Sequence, residues 1–364
     1  MALPSPRDAQ AARAALTSWL SSRLDGGDVA LSELSGPPAT GFSNETILFD
    51  ATWIDASGGR RREGFAVRVR PSSHSVFPVD RFEDQYRVMS ALAAHTDVLV
   101  PPMRWYEDDP SVLGAPFMVM GRVEGEAPSD NPPYAKEGWL ADSPPAAQEQ
   151  VWWEGLGVMA AVHLVDWRQL GLDGLEGSAT PAGGAAADRL AWWEGYLAWA
   201  AAGESQPVPE AAVAWLRHNR PAAGTGSAPP ALCWGDARLG NQLFTGGRVR
   251  AVLDWEMVHV GDPVWDLAWF LWMDRHHSEG SGATRLPGFP STAATVARWE
   301  EVTGRTAVDL EWWTVLAGLG FAAVMVRLSH LLIALELFPA GSDFARSNTG
   351  VTFLASELDR IGAR

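Results

Sequence analysis

The sequence is short of several things, and each shortage narrows what the protein does. There is one cysteine, Cys233, in 364 residues. No internal disulfide can form, which suits a reducing compartment. Lys and Arg number 28 against 44 Asp and Glu, for a net charge of −16. Nucleic-acid backbones need clustered cations, so no nucleic-acid partner is expected. The same acidity suits either a cationic substrate or simple solubility. No basic segment followed by an apolar run opens the chain, so no secretion signal is expected. The longest apolar stretch, residues 315–335, is interrupted by Arg327 and His330, so no membrane partner is expected. His276 and His277 have no metal-ligand spacing to another His or Cys, so no zinc is expected. No internal repeat is visible. These absences point to a cytoplasmic setting; a monomer or homodimer is expected.

What is present begins with core-forming residues: 47% are apolar, ample for two lobes. The 19 tryptophans include three doublets, Trp152–Trp153, Trp192–Trp193 and Trp312–Trp313. Adjacent helical residues point about 100° apart, so each doublet should bury one ring and leave the other near a surface or cleft. Residues 8–24 read as an amphipathic helix. Residues 45–54 and 61–71 alternate like strands, the second with Phe65, Val67 and Val69 on one face and Arg68 and Arg70 on the other. Residues 80–94 carry Phe82, Tyr86, Met89 and Leu92 at helical spacing, and 115–125 begins as an apolar strand. Beyond residue 121 the chain is helical, over 146–167, 186–201 and 209–219, with Gly/Pro-rich connectors. The expected fold class is α+β and bilobal: residues 1–120 a small β-rich N-lobe with one helix, residues 121–364 a larger, mostly helical C-lobe.

The chemistry concentrates in CWGDARLGNQLF, Cys233 to Phe244, and AVLDWE, Ala251 to Glu256. The turn at Gly246–Gly247 predicts a β-hairpin. Folding back there brings Asn241 and Asp254 to one open end, one short loop after Asp236. A carboxylate and an amide oxygen suit Mg²⁺, which keeps water and phosphate oxygens in its shell. A further carboxylate can take a proton from an attacking hydroxyl. The plainer reading is a pair of side-chain-capped turns around a hairpin.

The run WGDARLGNQLF, AVLDWE and GDPVWDLAW resembles the C-lobe signature of aminoglycoside/choline-kinase-like phosphotransferases, which share the protein-kinase fold. It is most similar to the branch related to the kinase domain fused to some acyl-CoA dehydrogenases. The resemblance implies an enzyme that moves the γ-phosphoryl group of ATP, with Mg²⁺, to a hydroxyl of a small molecule. That acceptor would be aminoglycoside-like, choline-like or a hydroxyacyl compound. It implies Asp236 as catalytic base and Asn241 and Asp254 as Mg²⁺ ligands. Arg68 stands where kinases usually carry a phosphate-binding Lys. Its expected acidic partner is Glu83, with Asp84 the alternative. Gly41, Ser43 and Asn44 would meet the phosphates, and backbone from Met120 to Arg122 the adenine edge. Trp234 replaces the family's usual His. That exchange removes a polar anchor and motivates a rival reading, a non-catalytic nucleotide-binding pseudokinase or regulator. Asp262, Pro263 and Asp266 are expected as scaffold, with Asp266 bonded to backbone near the catalytic loop. His163 is expected as a packed helix residue. His259 is expected in a loop close enough to touch substrate.

Overall fold

A computed structural model describes residues 7–36, 45–71, 75–178, 184–222 and 229–363. The chain divides into two compact units, the first built from 1–76, 80–94 and 100–124 and the second from 77–79, 95–99 and 125–364.

The first unit centres on a five-stranded antiparallel sheet in the order β1-β2-β3-β5-β4. Its strands are β1 (Gly27–Leu31), β2 (Glu45–Ile54), β3 (Arg60–Val69), β4 (Met103–Glu107) and β5 (Phe117–Gly121). Period-2 patterning decides the faces: Ile47, Phe49 and Ala51 of β2 and Phe65, Val67 and Val69 of β3 are buried together. Helix α1 (Ala9–Ser21) covers them with Leu16, Trp19 and Leu20. Each such leucine contributes roughly 2 kcal/mol by leaving water. Asp8 caps α1 by accepting from Ala11 N–H at 2.8 Å. Trp19 Nε1–H donates to Glu107 at 2.6 Å, tying α1 to β4. The expected helix at 80–94 is α2 (Phe82–His95). A one-turn helix α3 (Pro110–Leu113) and strands β1 and β4 are additions that the apolar patterning did not reveal.

The second unit is mostly helical. It holds α4 (Pro145–His163), α5 (Ala185–Ala201), α6 (Pro207–His218), α7 (Val264–His277), α8 (Thr292–Thr303), α9 (Leu310–Ala334), α10 (Phe344–Ser347) and α11 (Thr349–Arg360). Two short ribbons run among them, β6 (Ala231–Cys233) with β9 (His259–Gly261) and β7 (Gln242–Thr245) with β8 (Arg248–Val252). Helix α9 is long and apolar enough to cross a bilayer by length and composition, and its most apolar window is 56% buried inside the protein. Its interrupting polar residues bind α5: His330 Nδ1 lies 2.8 Å from the Ala200 carbonyl, and the Arg327 guanidinium lies 4.3 Å from the Trp199 ring centroid. It is the central packing helix of this unit. The tryptophan doublets follow expectation twice, with Trp152 and Trp193 buried and Trp153 and Trp192 half-buried. Trp312 and Trp313 depart from it. Both are buried, because α9 is enclosed on more than one side by α5, α6, α7 and α11.

Candidate active site

The β7–β8 ribbon closes over Gly246 (φ 60°) and Gly247 (φ 75°), the positive values a two-residue hairpin turn needs. Gln242 pairs with Val252 and Thr245 with Arg248. The pairing extends one step further: Leu253 N–H donates to the Asn241 carbonyl at 2.8 Å. Asn241 and Asp254 therefore leave the ribbon side by side. Asn241 ends a 3₁₀ turn, Leu239–Asn241, and its amide reaches back to Asp236. Nδ2 donates to Asp236 Oδ2 at 2.7 Å and to the Asp236 carbonyl at 3.1 Å. Asp254 has φ 61°, the left-handed region where Asp and Asn are tolerated best after Gly. The three residues expected from the motif converge in one unit.

The loop that carries Asp236 is held by buried groups. Asp266, on the first turn of α7 and fully buried, accepts from Trp234 N–H at 2.7 Å and Gly235 N–H at 2.9 Å. His163 Nε2 lies 3.0 Å from the same carboxylate. Its Nδ1 accepts from Trp299 Nε1–H at 3.0 Å. That bond places the imidazole proton on Nε2, facing Asp266. His163 and Asp266 are thus scaffold, as expected. Asp262 accepts from Val264 N–H at 3.0 Å at the start of α7. Gly235 sits at φ 95°, and a Cβ there would meet the Met257 carbonyl oxygen at 2.2 Å. Only glycine fits that position.

Trp234 overturns one expectation. Its indole is fully buried, and Nε1–H is shared between the carbonyls of Leu253 at 2.9 Å and Asp254 at 3.2 Å. A polar anchor between the two halves of the motif is therefore present, supplied by indole instead of imidazole.

Four bonds converge on the Asp236 carboxylate from three side chains. Arg238 Nε lies 3.1 Å from Oδ1 and 3.0 Å from Oδ2, Trp269 Nε1–H donates to Oδ1 at 2.7 Å, and Asn241 holds Oδ2. Burial pushes the Asp236 carboxyl above the ordinary carboxylate value; the Arg238 cation pulls it down, and the Asp254 charge pushes it up. The group is a stronger base than a free aspartate. Arg238 also forms an ion pair with Asp130, which stands 3.3 Å from His277 Nε2. Sequence reasoning missed Arg238, Trp269 and Asp130. Arg238 lies inside the motif, and Trp269 follows Asp266 by three residues on the same helix face. Asp130 lies 108 positions from Arg238 in a Pro-rich loop, with no local signal.

The donors fit Mg²⁺. The Asn241 amide nitrogen is engaged by Asp236, which leaves its oxygen for a cation beside the Asp254 carboxylate. One amide oxygen and one carboxylate are a set that phosphate oxygens and water complete. Among the described residues no three His, Cys, Asp or Glu side chains form a ready-made cage.

The remaining expected residues belong to the first unit. Arg68 lies on β3, half-buried, opposite Thr46 and Met118. Glu83 is exposed in the first turn of α2, and no ion pair joins it to Arg68 among the described residues. Asp84 pairs instead with Arg81 at 3.3 Å and Arg87 at 3.8 Å. Met120 pairs with Ala66 in the sheet, and Arg122 N–H donates to the Gly64 carbonyl at 2.8 Å. The Arg122 guanidinium pairs with Asp50 and Glu124. Gly41, Ser43 and Asn44 lie outside the described residues. His259 is corrected outright. It is a buried β9 residue, with Nδ1 3.0 Å from the Met257 carbonyl, and burial lowers its pKa to about 3.

A sequence profile of the phosphotransferase enzyme family matches residues 37–317. The chain belongs to that family. This phosphotransferase-family chain is 28% identical over 261 residues to "Probable acyl-CoA dehydrogenase IBR3" of Arabidopsis thaliana, covering 68% of the chain and 30% of that relative. It is 30% identical over 207 residues to acyl-CoA dehydrogenase family member 10 of Mus musculus, covering 56% of the chain and 18% of the relative. The chain thus spans less than a third of the length of these curated relatives. A solved "putative aminoglycoside phosphotransferase" from Ralstonia eutropha matches at a TM-score of 0.68 and 24% identity, over 94% of this chain and 98% of that one. A thermostable mutant of aminoglycoside phosphotransferase APH(4)-Ia, solved with AMP-PNP and hygromycin B, matches at 0.56 and 16% identity, over 95% and 97%. The fold is the α+β protein-kinase-like fold of these enzymes.

Proposed function

We propose that the protein is an ATP- and Mg²⁺-dependent kinase that phosphorylates a hydroxyl group of a small molecule. The observation that carries this reading is the convergence of Asp236, Asn241 and Asp254 at the open end of the β7–β8 ribbon, with the Asp236 carboxylate held by Arg238, Trp269 and Asn241. Asp236 orients the acceptor hydroxyl and takes its proton as the hydroxyl oxygen bonds to the γ-phosphorus. The bond from that phosphorus to the β–γ bridging oxygen breaks, and ADP leaves. Asn241 and Asp254 are the residues that would hold Mg²⁺, which when bound neutralises charge on the phosphate oxygens. Arg68 and the backbone near Met120 and Arg122 are proposed to meet the nucleotide. Alignment and charge neutralisation supply most of the rate.

Relatives named as acyl-CoA dehydrogenases favour a hydroxyacyl compound among the candidate acceptors. The pseudokinase alternative rested on Trp234. The Trp234 indole bond to the Leu253 and Asp254 carbonyls weakens it. The test is a screen of hydroxylated metabolites, hydroxyacyl thioesters, choline and aminoglycosides for ATP consumption, with mass spectrometry seeking a product heavier by one phosphoryl group. ATP binding with no phosphorylated product and no Asp236-dependent hydrolysis would favour the regulator.

A further inference from the structure

Helix α7 grips the Asp236 loop through three residues. Trp265 Nε1–H donates to the Gly235 carbonyl at 3.1 Å. Asp266 accepts from the Trp234 and Gly235 N–H groups. Trp269, one turn on, donates to Asp236 Oδ1 at 2.7 Å. The first two contacts place the backbone, and the third reaches the carboxylate itself. Trp269 is 3% exposed, and its ring packs against three others: 5.2 Å from Trp265, 6.2 Å from Trp193 at an interplanar angle of 12°, and 6.3 Å from Phe321. A ring so confined presents its N–H in one direction only.

The terminal torsion of an aspartate is broad, so a loop that fixes only the backbone leaves the carboxylate plane free to turn. Here Trp269 holds Oδ1, Asn241 holds Oδ2, and Arg238 Nε bridges both. Arg238 and Asn241 lie within five residues of Asp236 along the chain. Trp269 is the one of the three anchored on a packed helix. We propose that Trp269 is a positioning residue for phosphoryl transfer: its indole N–H sets the plane of the Asp236 carboxylate while the acceptor hydroxyl approaches.

The inference rests on Asp236 being the base. The groups that face Asp236 are Arg238, Asp254, Asn241 and Trp269, with Asp130 behind Arg238. In Trp269→Phe, kcat should fall about tenfold or more, with KM for ATP changed less than about twofold. Trp193→Phe is the packing control, since the Trp193 ring stacks on Trp269 but its own indole nitrogen has no hydrogen-bond partner among the described residues. It should leave kcat within about twofold of the wild type. Equal losses of kcat in the two variants, or none in Trp269→Phe, would overturn the proposal.

A second readout needs no turnover. In protein labelled with ¹⁵N-tryptophan, the indole resonance lost in Trp269→Phe should be displaced in Asp236→Asn. A resonance indifferent to that substitution sinks the positioning contact even if the enzyme is active. A wild type that transfers no phosphoryl group, yet whose resonance is displaced in Asp236→Asn, sinks the kinase reading and leaves the contact standing.

Discussion

The indole nitrogen of Trp234 lies 2.9 Å from the carbonyl oxygen of Leu253 and 3.2 Å from that of Asp254. One buried N–H thus joins the loop that carries the proposed base to the residue proposed to bind metal. Trp234→Phe keeps most of the packing and removes the bond. Stability should fall by about 1–2 kcal/mol, read from urea unfolding at constant m-value. Mg²⁺-dependent nucleotide binding should weaken in parallel, and unchanged binding would reduce Trp234 to a core residue.

Asp236→Asn keeps the shape of the proposed base and removes its charge. Phosphoryl transfer should drop by about 10²-fold or more, while calorimetry should show ATP still bound. Burial raises the Asp236 pKa. In the wild type the rate should therefore decline on the acid side at a pH above that of an ordinary aspartate. A mutant with wild-type turnover would remove Asp236 from the chemistry.

Gly235→Ala tests the close approach beneath the loop. At φ 95°, with the Met257 carbonyl 2.2 Å from the new methyl carbon, alanine cannot be accommodated without moving the loop. The expected result is destabilisation by about 2 kcal/mol or more, or failure to accumulate soluble protein. A stable, active variant would mean that the loop sits elsewhere.

His259 and His276 predict how stability responds to pH. Burial is the first cause of lowering in both, and each falls to about 3. The unfolded imidazole titrates near ~6.5. The unfolded state therefore takes up protons that the folded state refuses, so stability declines as the pH falls below that value towards about 3. Melting temperature measured from pH 7 to pH 5 should drop. The slope should flatten in His276→Gln, whose side chain does not charge. A flat wild-type profile would mean that water reaches these rings.

How much of this was legible beforehand depends on range. The Gly246–Gly247 turn is a local signal, and local geometry alone carries Asn241 to Asp254. The alternation Phe65, Val67, Val69 is equally local, and β3 formed where it was expected. The Trp234 anchor was missed because a His-to-Trp exchange reads as loss of a polar group until the indole's direction is known. Trp269 was invisible for a related reason: in a chain with 19 tryptophans, one more on an apolar helix looks like packing. The Arg68–Glu83 pair was inferred from likeness, and helix rotation decided otherwise. Phe82 and Gln85 face inward, which turns Glu83 to solvent. His259 was misplaced because a three-residue ribbon strand cannot be told from a loop by pattern.

The left-handed backbone at Asp254 constrains how this protein can change over time. Glutamate would preserve the charge yet resist that conformation, whereas asparagine or glycine would accept the conformation and forfeit the charge. Descendants that retain catalysis should therefore keep aspartate there, and those drifting towards mere nucleotide sensing should pass through asparagine or glycine first. The identity of that single residue becomes a marker for sorting active members from inactive ones.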